Sequence, residues 1–275
     1  MLAQALPTPA YDPTVAHRLV QAVELWPELQ GEIALRNGDY LLLVLRGERS
    51  TDRYAYNRLG ATTRRVAVAY EHFWNEYWSW GGTARYESNA RLETNNDGDL
   101  LVPELLLRHR STIFGGLTFG QRLGVERQIL MNRNYVGGTV PNGQFWGRLR
   151  VDVERLFPLS GEAATGLALR PRLSYAASTH LRLQKDAGDP DERTIQFTSL
   201  RGEVGVRLSS HLDFTPWFAY QTAYRQDLVF TDITGTIPTS GGKINAVYPT
   251  VGLDVRFTLL PAGTKANRQP MPTQH

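Results

Sequence analysis

The chain of 275 residues contains no cysteine, so disulfides, thiolate metal sites and cysteine nucleophiles are excluded. It has no long apolar run. The longest, residues 40–45, falls far short of the roughly 20 residues that a membrane helix needs. Charge of one sign is also scarce. A net charge of +3 and a pI near 9.2 are too mild to argue for a nucleic-acid partner. A mean hydropathy of −0.34 lies well below that of an α-helical membrane protein.

Motifs for chemistry are equally thin. The six histidines are His17, His72, His109, His180, His211 and His275, and no two stand at metal-ligand spacing. Glu71 and His72 are neighbours, but a strand sends them to opposite faces. There is no Gly-rich phosphate loop and no nucleophile elbow. Ser178-Thr179-His180 comes nearest to a hydrolase signature, without a recognisable orienting partner or oxyanion site. The sequence therefore assigns no catalytic residue, no metal and no cofactor.

What is abundant is glycine (25 residues), aromatics (6 Trp, 12 Tyr and 10 Phe) and strict alternation. In residues 148–154, Leu149, Val151 and Val153 share one strand face, and Arg148, Arg150, Asp152 and Glu154 the other. After a turn at 158–162, Leu167, Leu169, Leu173 and Tyr175 oppose Ala168, Arg170, Arg172 and Ser174. A soluble antiparallel sheet usually exposes mixed polar residues. Here the polar face is arginine and carboxylate. That is the pattern of an outer-membrane barrel, apolar toward lipid and charged toward the lumen.

The rhythm recurs along the chain. Residues 24–35 place Leu25, Leu29 and Ile33 opposite Glu24, Trp26, Glu28, Gln30 and Glu32. Asn37-Gly38-Asp39 is a hairpin turn. Residues 40–56 return, first apolar, then with Arg46 and Glu48. Residues 59–73, 80–91, 104–110 and 117–126 continue the alternation. So do 194–208, with Arg201, Glu203 and Arg207, and 214–224, with Phe214, Pro216, Phe218 and Tyr220 on one face. Residues 247–259 close the series, with Asp254 and Arg256. Trp74, Tyr77, Trp78 and Trp80 cluster around one turn. They suit a membrane–water interface or, alternatively, a small aromatic core.

Short turns (159–162, 209–213) alternate with longer loops (131–143, 185–193, 226–243), as periplasmic turns and outer loops do. About eleven strands are visible. The even strand numbers of bacterial barrels move the expectation to twelve, with ten as the alternative. Pro171, Pro216 and Pro249 fall inside strands and predict bulges or strand ends.

The sequence thus predicts an all-β, antiparallel, up-and-down transmembrane barrel over 18–260. A flexible arm (1–17) and a disordered tail (261–275) flank it, both on the periplasmic side. Ala3-Gln4-Ala5 resembles the cleavage end of a secretory signal whose charged and apolar parts are missing.

The stretches Gly120-Gln-Arg-Leu-Gly-Val-Glu-Arg127, Arg148-Leu-Arg-Val-Asp-Val-Glu-Arg155 and Leu169-Arg-Pro-Arg-Leu-Ser-Tyr175 resemble a family of uncharacterised Gram-negative outer-membrane barrels. That family is known only as a domain of unknown function. The resemblance spans residues 26–259. It implies the fold and an outer-membrane location, and no activity.

Eighteen inward charges are the candidate site: Arg85, Glu87, Arg91, Arg108, Arg110, Arg122, Glu126, Arg148, Arg150, Asp152, Glu154, Arg170, Arg172, Arg201, Glu203, Arg207, Asp254 and Arg256. They form either a selectivity lining for a small anion or a salt-bridge network that fills a narrow barrel. The expected role is non-enzymatic: a narrow pore or a structural subunit of an outer-membrane assembly. Its partners would be lipid and other subunits. The alternatives are a lipid-modifying barrel hydrolase and a soluble β-barrel that holds an apolar ligand.

Overall fold

The computed structural model describes residues 11–35, 38–52, 63–91, 97–131, 144–160, 166–181 and 193–260, with only the backbone at 89–91 and 97–98. Alternation draws these residues into thirteen strand segments of one sheet. The first six are β1 His17–Val20, β2 Glu24–Ala34, β3 Tyr40–Ser50, β4 Thr63–Phe73, β5 Trp78–Arg91 and β6 Asp97–Thr112. The rest are β7 Leu117–Leu130, β8 Gln144–Arg155, β9 Phe157–Pro158, β10 Ala168–His180, β11 Phe197–Ser209, β12 Leu212–Thr231 and β13 Pro238–Leu259.

These segments make eleven staves. β1 and β2 run along the same β13, and β9 continues the β8 ladder on β10. Each neighbouring pair from β2 round to β13 is antiparallel. The barrel closes where β2 pairs with β13 in parallel, from Glu24↔Thr250 to Ile33↔Leu259. The expected twelve (or ten) purely antiparallel strands are thus corrected to eleven with one parallel seam. The reason is parity. Direction reverses at every turn, so in an odd-numbered barrel the first and last staves run the same way and must close in parallel.

Parity also places the two ends of the chain. Residues 11–16 lie at the start of the first stave, and Leu260 follows the finish of the last one, at the opposite rim. The expected tail (261–275) and residues 1–10 of the expected arm lie outside the described residues. In the seam, Val20 faces Val247 but Glu24 faces Thr250, so the first stave carries one extra residue. Pro249 stands opposite that bulge. Pro171 and Pro216 cause no register shift, but each borders a break in one of its two ladders: β8 ends at Arg155, opposite Pro171, and the β11–β12 pairing lapses between Glu203↔Trp217 and Val206↔Phe214.

Four turns at the rim where β2 ends are short (35–39, 74–77, 113–116 and 210–211), while the connection expected as a short turn at 158–162 runs from 159 to 167, with 161–165 outside the described residues. At the other rim the strands are separated by 51–62, 131–143 and 181–196, and by the shorter 92–96 and 232–237. The expected loop at 226–243 is not a loop. β12 and β13 continue pairing from Gln226↔Lys243 to Thr231↔Pro238, with a shift between Asp227 and Phe230. The tip turns at 232–237, where Asp232 Oδ1 accepts from the backbone N–H groups of Thr236 and Ile237, both at 3.1 Å. Gly241 carries φ +93°, and a Cβ there would strike the Leu228 carbonyl, so the hairpin depends on glycine at that place.

Among the described residues there is no single apolar core. The largest buried apolar cluster is Tyr40, Leu42, Val44 and Ala69, on the inner face of β3 and β4. Large apolar side chains instead cover the outside, and each stave contributes: Leu29, Leu43, Val68, Tyr86, Leu105, Leu123, Leu149, Leu173, Leu200, Phe218 and Leu253 are all exposed.

Candidate functional site: the charged interior

Period-two alternation sends every second side chain of each stave inward, and most of those inner positions are polar or charged. Register alone sets up conflicts. Arg108 faces Arg122, which faces Arg150, and Glu104 faces Glu126. Like charges directly opposite repel. The side chains resolve this by reaching diagonally. Arg122 Nη2 donates to Glu104 at 2.7 Å, and Arg85 Nη1 lies 2.8 Å from Glu126.

Two arcs of ion pairs result. The first runs from Glu28 to Arg46 (2.7 Å), Glu48 (3.7 Å), Arg65 (3.5 Å), Glu87 (2.8 Å), Arg85 (2.8 Å), Glu126 (2.8 Å) and Arg148 (3.3 Å). The second joins Arg110 to Glu154, Arg172, Glu203, Arg201 and Asp254. Arg170 approaches Glu154 at 4.0 Å. Smaller groups complete the interior: Arg108 on Glu71 at 2.6 Å, Arg150 on Asp152 at 3.7 Å, Arg207 on Asp213 at 3.7 Å, and Arg256 on Glu32 at 3.4 Å.

Seventeen of the eighteen candidate charges thus have described side chains inside the barrel, each with a carboxylate or guanidinium partner. The side chain of Arg91 lies outside the described residues. Glu28, Glu32, Arg46, Glu48, Arg65, Glu71 and Glu104 belong to the same network. The sequence put several of them on a polar face, but alternation does not tell which strands are neighbours across the lumen.

Glycine makes room for this chemistry. A Cβ at Gly120 would lie 2.6 Å from Asp152 Oδ2, and one at Gly124 would collide with Glu104 Oε1. Each of these two carboxylates therefore occupies the space beside a bare backbone.

Two inward indoles were not singled out by the sequence. Trp26 and Trp217 meet edge to face with centroids 6.0 Å apart. Arg46 caps Trp26 at 5.0 Å, and Arg201 caps Trp217 at 4.0 Å. The available signal was one aromatic at each of two otherwise polar inner positions. Beside this pair, on the side of the longer connections, lies a cavity of about 160 Å³.

The remaining sequence candidates are placed as follows. Trp74, Tyr77, Trp78 and Trp80 are exposed around the 74–77 turn, and Trp78 packs on His109 at 4.4 Å. Glu71 points inward to Arg108, while His72 Nδ1 lies 3.0 Å from Asp39 at the rim. The ring of His180 stacks on Trp146 at 5.4 Å. No cluster of three or more potential metal ligands occurs among the described residues. At the same rim, Asp39 also accepts from Tyr70 Oη at 2.5 Å and from the Phe73 N–H at 3.4 Å. Burial pushes its carboxyl upward, but Tyr70, His72 and Phe73 together hold it below its ordinary value.

No protein-family model, no curated protein and no solved structure matches this chain. The architecture is a closed β-barrel of eleven strands.

Proposed function

We propose that the chain is a non-enzymatic outer-membrane β-barrel whose lumen is closed by ion pairs, acting as a structural subunit rather than an open pore. The observation that carries the reading is the inversion of the barrel. Large apolar side chains are exposed on all eleven staves, while the buried positions hold Glu28, Arg108, Glu126, Arg172, Glu203 and Asp254. Soluble monomers rarely expose more than a few hundred Å² of continuous apolar surface. A bilayer supplies the solvent that such a belt requires, and closure leaves no free strand edge in lipid.

Further observations support it. Strands of 11 residues or more reach across a hydrocarbon core when tilted. The contrast between short and long connections matches periplasmic turns and outer loops. The loose likeness of 120–127 and 148–155 to a family of uncharacterised outer-membrane barrels points the same way. Paired charges fill the interior, as expected for a narrow barrel.

Planar-bilayer recording of the purified protein tests closure. The reading expects no steady single-channel conductance. A stable conductance selective for anions would instead favour the narrow-pore alternative.

A further inference from the structure

We propose that the cavity beside Trp26 and Trp217 binds a small organic monocarboxylate. This does not depend on the membrane reading, because the cavity lies inside the barrel whatever surrounds it.

Size comes first. About 160 Å³ is far more than the roughly 10–15 Å³ that one water needs, and less than the roughly 300–1,000 Å³ of a drug-sized site. The cavity fits a ligand of a few heavy atoms.

Polarity decides the class. Five arginines line the cavity (Arg46, Arg65, Arg85, Arg148 and Arg201) against two glutamates, Glu28 and Glu104. Both glutamates already accept from arginine, Glu28 from Arg46 and Glu104 from Arg122. Three buried polar atoms of the lining residues have no hydrogen-bond partner: Trp26 Nε1, Arg65 Nε and Arg201 Nη1. All three are N–H donors. No acceptor of a lining residue is left over in this way among the described residues. Buried donors without partners are unfavourable, so the site asks for acceptors that bring no donors of their own. A carboxylate is such a group, and guanidinium is its natural partner.

Shape decides the rest. Ala176, Ala177, Phe197 and Ala219 supply an apolar wall. An inorganic anion leaves that wall unused. A carboxylate with a short apolar or aromatic body fills both halves.

Benzoate is the probe, titrated into the full chain folded in detergent micelles and followed by calorimetry and indole fluorescence. The expected result is saturable binding of one benzoate per chain, with benzyl alcohol and inorganic phosphate each at least about tenfold weaker. Trp26→Phe keeps the ring and deletes one donor, and it is expected to weaken benzoate about tenfold. Arg65→Gln serves as the second variant, with the same expectation. Retention of the folded gel mobility in each variant shows that the barrel is intact. Absence of saturable binding overturns the proposal. Equal binding of benzyl alcohol reduces the site to an apolar hole, and equal binding of phosphate reduces it to an inorganic-anion pocket; either overturns it. So does unchanged benzoate affinity in a folded variant.

Discussion

The indole of Trp217 occupies the space that a side chain at Gly252 would take. A Cβ built on Gly252 overlaps ring carbons Cε2 and Cζ2, while Nε1 of the same ring donates to Asp254 Oδ1 at 2.6 Å. Arg201 also lies over the ring, 4.0 Å from its centroid, and with Asp254 restrains it. Gly252→Ala is expected to destabilise the barrel by about 1–3 kcal/mol through overpacking. Urea unfolding of the vesicle-bound protein measures it, and an unchanged midpoint would contradict the packing described.

The Arg172–Glu203 pair tests the network. Both groups are buried, and Arg172 donates through Nε to Glu203 Oε1 at 2.7 Å. Truncating one partner strands a buried charge, at a cost of about 3–5 kcal/mol. Arg172→Leu and Glu203→Leu are each expected to show a loss of that order. The double variant is expected to lose much less than the sum, because Glu154 keeps Arg110 and Arg201 keeps Asp254. Additive losses in the cycle would show that the two side chains do not act as a pair.

The outer belt gives the opposite test. Leu123 lies mid-strand on β7 and is 53% exposed. In a bilayer, Leu123→Arg is expected to cost about 2–4 kcal/mol of folding stability in vesicles. On a surface facing water it would cost little or nothing. The same substitution thus separates the two settings.

Asp39 predicts a pH dependence at the short-turn rim. Its folded carboxyl titrates below the ordinary value because Tyr70, His72 and the Phe73 N–H bond its charged form. The stability this provides is fully present above the ordinary carboxylate value near 3.9 and is lost as pH falls through the lower folded value. Unfolding midpoints measured between neutral and acidic pH check it. Asp39→Asn is expected to lower the midpoint at neutral pH and to flatten its acid limb. An acid limb identical to that of the parent would remove Asp39 as its source.

Much of the fold was legible because period two is a local signal. The faces of 148–154 and 167–175 follow directly from the pleat, and so does the turn at 209–213. The hairpin at 226–243 was misread because Gly241, Gly242 and Pro238 look like loop residues, yet the ladder between β12 and β13 carries through them. The strand number went astray for another reason. Nothing in one strand announces whether the seam is parallel, and the rule of even strand numbers excludes the odd count that a parallel seam allows. The network itself was half legible. Alternation puts Arg122 and Glu104 on the inner face, but which carboxylate an arginine reaches depends on register and closure. Trp26 and Trp217 could not be paired from sequence, since 190 residues separate two neighbours that meet only when the barrel closes.

The central claim is that this barrel folds with its apolar belt in lipid. The most direct measurement dilutes urea-unfolded protein into buffer with and without lipid vesicles and runs both samples, boiled and unboiled, on SDS gels. The account predicts a heat-modifiable compact band that forms only with vesicles and floats with them. A compact, soluble, heat-modifiable form in buffer without lipid or detergent would contradict it.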